Sequence, residues 1–159
     1  MLNLEKELVV MMKLCTAETV QERAALRRQL AQMLRQLPQG KPDPEQIIRQ
    51  ILLDLGAPDH LTGHEYVVYG VQLMAQDRMY IHNISFGLYP QVAAKFDTTA
   101  GRVERAVRNL IDVTWSRGEW EVLHSYFGNT IHEDRGKPTN GDFLARLANV
   151  VQQRMKEAS

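Results

Sequence analysis

One stretch constrains the fold of this chain more than any other: Ala93-Ala94-Lys95-Phe96-Asp97-Thr98-Thr99-Ala100-Gly101-Arg102-Val103-Glu104-Arg105-Ala106-Val107-Arg108. Val92, Phe96, Val103, Ala106 and Val107 fall where two short helices need apolar side chains to close on each other at a steep angle. Ala93 is small where the helices come closest. Asp97 occupies the turn, a place that usually requires a left-handed residue, which Asp tolerates better than most. The pattern predicts a helix-turn-helix inside an all-α, multi-helix domain.

The rest of the chain is punctuated for helices, and strand signals are almost absent. Asp43-Pro44-Glu45-Gln46 supplies an N-cap, a proline for the first turn and a capping-box Gln. Ile47, Ile48, Ile51, Leu52 and Leu55 then recur at helical spacing up to a stop at Gly56. Thr62-Gly63-His64-Glu65 reads as a second capping box, opening a helix through Tyr66, Val67, Tyr69, Gly70, Leu73 and Met74. The helix-turn-helix follows over roughly 89–117, with Gly118 as its stop. Residues 120–127 form a short helix, and Thr139-Asn140-Gly141-Asp142 caps a final one carrying Phe143, Leu144, Leu147, Val150 and Val151. Trp115, Phe127 and Phe143 fall on inward faces and read as core.

Segment 38–44 (Pro-Gln-Gly-Lys-Pro-Asp-Pro) is the one good linker. It separates a helical arm or hairpin, residues 1–37, from the domain at 45–159. In the arm, Thr19-Val20-Gln21-Glu22 caps a helix with Val20, Ala24, Arg27, Leu30, Leu34 and Leu37 along one side. Leu4, Leu8, Met11 and Met12 mark an earlier helix. This apolar stripe is too long to leave in water on an isolated helix. Arg27 breaks the heptad and disfavours a long coiled coil, so the expectation is a compact hairpin that mediates a symmetric homodimer.

Composition limits the function classes. The chain has 159 residues and a formal net charge of zero, which argues against coating nucleic acid by charge alone and leaves room for a local basic face. The single cysteine, Cys15, cannot form an internal disulfide. Nothing resembles a secretory signal, and no apolar run approaches the roughly 20 residues that span a bilayer. A cytoplasmic protein with no membrane partner is expected. Of five histidines, His60 and His64 are four apart, but no third ligand has zinc spacing, so no metal site is expected and the histidines read as surface or hydrogen-bonded groups. No phosphate loop, nucleophile elbow or paired carboxylates occur, so neither an enzyme nor a cofactor is expected.

The second helix of the motif carries the chemistry. Capped by Thr98 or Thr99, it turns Val103, Ala106, Val107, Leu110 and Ile111 inward and leaves Gly101, Arg102, Glu104, Arg105, Arg108 and Asp112 outward. An Arg can fork to guanine O6 and N7, and a Glu can accept from cytosine N4. A helix N-terminus at Thr99 also suits a phosphate. The same charges suit a solvated face, since Glu104 and Arg108 are four apart and can pair for about 0.2–0.5 kcal/mol.

The words Leu88-Tyr89-Pro90, Ala94-Lys95-Phe96, Arg102-Val103-Glu104-Arg105-Ala106, Trp115-Ser116-Arg117-Gly118, Phe127-Gly128 and Lys137-Pro138-Thr139-Asn140 occur in order. From about Ile47 onward the chain thereby resembles the DNA-binding effector domain of the stage-zero sporulation protein A family, sporulation response regulators. The resemblance implies double-stranded DNA as partner, read at a box whose core is TGTCGAA by Arg102, Glu104, Arg105 and Arg108. Lys95 and Lys137 become candidates for phosphate, with Thr99 at the helix start. Gly101 departs from the small polar residue common at its position. The resemblance also implies contact of the 120–127 region with RNA polymerase sigma factor, for which Glu119 and Glu121 are available. Family members carry a receiver domain that accepts a phosphoryl group on Asp. The first 45 residues here show no strand pattern and no Asp before Asp43, so a receiver-less, naturally short regulator is expected. The competing reading is an interaction protein that modulates a full-length regulator or a sigma factor without reading DNA well.

Overall fold

The computed structural model describes residues 2–16, 19–36, 40–128, 130–131 and 136–158. Among these the protein is all-α, with eight α-helices and no strand. The chain forms two compact units, 1–41 and 42–159.

The first unit is a pair of packed helices, α1 (Leu2–Thr16) and α2 (Val20–Gln36). α2 opens on a reciprocal capping box: the Glu22 backbone N–H donates to Thr19 Oγ1 at 3.1 Å, and the Thr19 N–H donates to Glu22 Oε2 at 3.3 Å. The half-buried side chains of α2 are Leu26, Leu30 and Met33, whereas Val20, Ala24 and Arg27 are exposed. Of the side expected from the sequence, Leu30 stays in the seam, while Val20, Ala24 and Arg27 do not. Leu26, Leu30 and Met33 keep an i, i+4, i+7 spacing with larger apolar groups than Ala24 and Arg27 offer. Leu37 and the side chains of Leu4 and Leu34 lie outside the described residues.

In the second unit, α3 (Pro44–Asp54) starts at Asp43, whose carboxylate accepts from the Glu45 N–H at 3.1 Å, with Pro44 in the first turn. It ends before Gly56, which takes φ +75, a conformation suited to glycine. α4 (Thr62–Gln76) begins differently from the reading above. Its N-cap is Leu61, without a side-chain cap, and Thr62 is already helical. Glu65 is turned away from the cap because Arg49 of α3 takes both its oxygens, at 2.7 and 3.0 Å. A two-pronged charged partner outcompetes one backbone N–H. This grip holds the Glu65 carboxyl below its usual range and raises the Arg49 guanidinium, which also donates to Glu45 at 2.9 Å.

Between α4 and the next helix the chain makes a 3₁₀ turn at Arg78–His82 and a π turn at Ile84–Leu88, neither announced by periodicity. α5 (Tyr89–Lys95), α6 (Ala100–Arg117), α7 (Trp120–Phe127) and α8 (Asn140–Glu157) complete the domain. α4 is the central strut, packing against both α6 and α8. The core joins Ile48, Ile51 and Leu52 of α3, Val67, Val71 and Met74 of α4, Leu110 of α6 and Leu147 of α8. Trp115, Phe127 and Phe143 form one aromatic cluster with ring centroids 5.2–6.2 Å apart, as their inward spacing requires.

α4 meets α6 backbone to backbone. A Cβ on Gly63 would fall onto the Ala106 carbonyl, lying 2.7 Å from its carbon. Ala106, expected inside, is only half-buried, because its carbonyl side rather than its methyl faces this contact. Gly63→Ala should therefore force α4 and α6 apart and destabilise the second unit by about 1–3 kcal/mol. Denaturant unfolding, with Gly101→Ala as a control at a glycine in open space, measures the difference.

Candidate nucleic-acid interface

α5 and α6 meet across a four-residue connection, 96–99. Asp97 takes φ +50, the left-handed conformation expected of it, and the Thr98 N–H closes the turn on the Ala93 carbonyl at 2.9 Å. Thr99 is the N-cap of α6, its hydroxyl accepting from the Arg102 N–H at 3.3 Å. Val92 and Ala93 of α5 and Val103 and Val107 of α6 are buried. Phe96 packs its ring on Tyr66 and Tyr69 of α4, centroids 5.0 and 6.0 Å away. The turn is anchored to the same strut that carries α6.

With Val103, Val107, Leu110, Ile111 and Thr114 buried, α6 presents Arg102, Arg105 and Arg108 exposed, with Glu104 half-buried beside them. Arg102 and Arg105 have no ion pair among the described residues. Arg108 does: it donates to Glu104 Oε1 at 2.6 Å, one helical turn away. Lys137 is held by Asp112 in an ion pair rather than standing free. Lys95 sits 5.8 Å above the Tyr69 ring, a cation–π placement that steadies its exposed stem at the end of α5. Thr99, Arg102, Glu104, Arg105 and Arg108 thus form the outer edge of α6 and its cap, Lys95 ends α5, and Lys137 reaches α6 through Asp112. Their charges are unequally available.

A bridge that periodicity could not reveal fixes this edge. Asn140, the first residue of α8, donates through Nδ2 to the Glu104 carbonyl at 3.0 Å and to the Tyr89 hydroxyl at 3.1 Å. It links residues 36 and 51 positions apart. Its side chain closes a cleft of about 510 Å³ that includes Glu104, Arg108, Asp112 and Lys137. The only sequence signals were the words Leu88-Tyr89-Pro90 and Lys137-Pro138-Thr139-Asn140, which carry no contact information.

His64 departs from the surface or hydrogen-bonded histidine expected of it. It is only 5% exposed, and its Nδ1 has no hydrogen bond, the nearest carboxylate oxygen being that of Glu65 at 3.7 Å. Among the described residues no three His, Cys, Asp or Glu side chains come together as a metal site would need. No described helix is long and apolar enough to cross a membrane.

A helical domain that sets an arginine-bearing helix at the end of a tight turn, locked from behind by its own core, has the build of a DNA-binding regulatory module. The chain belongs to the family described as sporulation initiation factor Spo0A C terminal, whose model matches residues 48–151. That family is one of DNA-binding sporulation regulators and is not enzymatic.

Tyr89 offers a check on the bridge. Burial pushes its phenol above the ordinary value near 10, while the hydrogen bond from Asn140 acts the other way. The neutral phenol is therefore favoured by folding. Its contribution is complete below about pH 10 and declines as pH rises through the folded pKa. Tyr89→Phe should flatten the alkaline limb of a stability-versus-pH curve above about pH 10, read by chemical denaturation against the parent.

Proposed function

We propose that this chain is a sequence-specific, cytoplasmic transcriptional regulator of the sporulation type, which reads double-stranded DNA through a helix-turn-helix formed by α5 and α6. The observation that carries the reading is the pair Arg102 and Arg105, exposed and without an ion pair among the described residues, near the start of a helix whose opposite face is packed into the core. Each can fork to a guanine edge. Glu104 suits a cytosine amino group, but the Arg108 pair must open or turn with it. Thr99 and the first free N–H groups of α6 suit a phosphate. Lys95 and Lys137 suit flanking phosphates, Lys137 only after leaving Asp112.

Association is assigned to the arm. Leu8, Met11 and Met12 are 53–69% exposed on α1, an apolar surface that a second copy of the hairpin would cover to give a homodimer. Glu119 and Glu121, exposed at the start of α7, are the residues offered to an RNA polymerase sigma factor.

The alternative, an interaction protein with weak DNA reading, draws support from the two ion pairs that occupy Arg108 and Lys137. A titration of labelled duplex carrying the TGTCGAA core against a scrambled duplex, at one moderate salt, separates the two. A ratio near unity overturns sequence-specific reading. Arg105→Ala should weaken box binding by about 1–3 kcal/mol and relax one base position. An unchanged box-to-scrambled ratio would remove Arg105 from the base readers. For the arm, Leu8→Glu with Met12→Glu, both on exposed positions, should turn a dimer into a monomer by light scattering without altering the circular dichroism spectrum.

A further inference from the structure

The net charge of zero hides a division. Residues 1–41 hold seven Lys and Arg against four Asp and Glu, while 42–159 hold twelve against fifteen. The unit that belongs to the DNA-binding family is thus the acidic one. Duplex DNA carries about one negative charge per 1.7 Å, so a reader with an acidic surplus is opposed at long range and needs cationic surface from elsewhere.

α2 has such a surface. Its inner face is Leu26, Leu30 and Met33. On the opposite face Ala24 and Ala31, seven apart, form a low strip, and Arg27 and Arg28 flank it on either side at helical spacing. All four are exposed, and no carboxylate pairs with either arginine among the described residues. Arg28 Nε donates to the Ala24 carbonyl at 3.3 Å, which steadies the side chain while leaving its terminal nitrogens open. The exposed apolar groups Leu8, Met11 and Met12 belong to the other helix, so self-association through α1 would leave this face uncovered.

We propose that α2 is a second nucleic-acid contact, a sequence-independent clamp on the phosphate backbone of duplex DNA through Arg27 and Arg28. It rests on the DNA reading given above for the choice of partner, but it makes a separate claim: that affinity for any duplex comes in part from the arm, while base selection stays with α6. Low-lying alanines between two guanidinium forks let the helix approach a phosphate ridge closely, and an Arg on each side can take a phosphate oxygen pair.

The test compares the full chain with Arg27→Gln/Arg28→Gln and with Arg27→Lys/Arg28→Lys, on both box and scrambled duplexes over a salt series. The Gln variant should weaken binding to both duplexes equally and reduce the slope of log K against log salt by about 1.8, two released counterions' worth. The box-to-scrambled ratio should stay the same, and the Lys variant should keep most of the slope. An unchanged slope on the scrambled duplex overturns the clamp. So does a loss confined to the box, or a slope that is unchanged while binding to phosphatidylserine vesicles falls, which would make the face lipid-directed. A parent that binds box and scrambled duplex alike, with a slope that still drops in the Gln variant, leaves the clamp standing and defeats base reading by α6 instead.

Discussion

The second unit depends on how closely α4 can approach α6. Gly63 lets the backbone of one helix lie against the Ala106 carbonyl of the other, and no side chain could be interposed there. That closeness lets Phe96 reach Tyr66 and Tyr69, so the turn before α6 is pinned to the same helix as α6 itself. A reading helix must be held to within a fraction of an ångström for its side chains to meet base edges in register. Here the rigidity comes from the back of the helix: Val103, Val107, Leu110, Ile111 and Thr114 are all buried. The front carries Arg102, Arg105 and Arg108, exposed.

That front is not uniformly basic. Arg108 is occupied by Glu104 and Lys137 by Asp112, so part of the positive charge of this edge is neutralised. Exposed pairs of this kind contribute little to stability and open at correspondingly little cost. The bridge from Asn140 to the Glu104 carbonyl holds the helix rather than the Glu104 carboxylate, which leaves that side chain free to choose between Arg108 and another donor.

The arm follows a different logic. Two helices cannot bury all of their apolar side chains against each other, and the hairpin accordingly keeps Leu8, Met11 and Met12 on one helix and the Arg27–Arg28 face on the other. Under the proposals made above, the apolar surface would meet a second copy and the arginine face a duplex, and their separation onto different helices would let both be met at once.

Local chemistry decided much of this protein in advance. The all-α character, the N-caps at Asp43 and Thr139, a cap at Thr98 or Thr99 that the structure gives to Thr99, the left-handed Asp97, the stop at Gly118 and the aromatic cluster were legible because caps, turns and periodicity act over four residues or fewer. So was the outward placement of Arg102, Arg105 and Arg108. Tertiary structure alone decided which of these arginines has a partner, that Glu65 answers Arg49 instead of its own cap, and that Ala106 turns its carbonyl rather than its methyl to α4. It also decided that α2 packs through Leu26, Leu30 and Met33, and that Asn140 ties α8 to α6. Each is a competition between partners distant in the chain or on a neighbouring helix. Spacing along a sequence lists the candidates for such a competition, and only their positions in space settle which one wins.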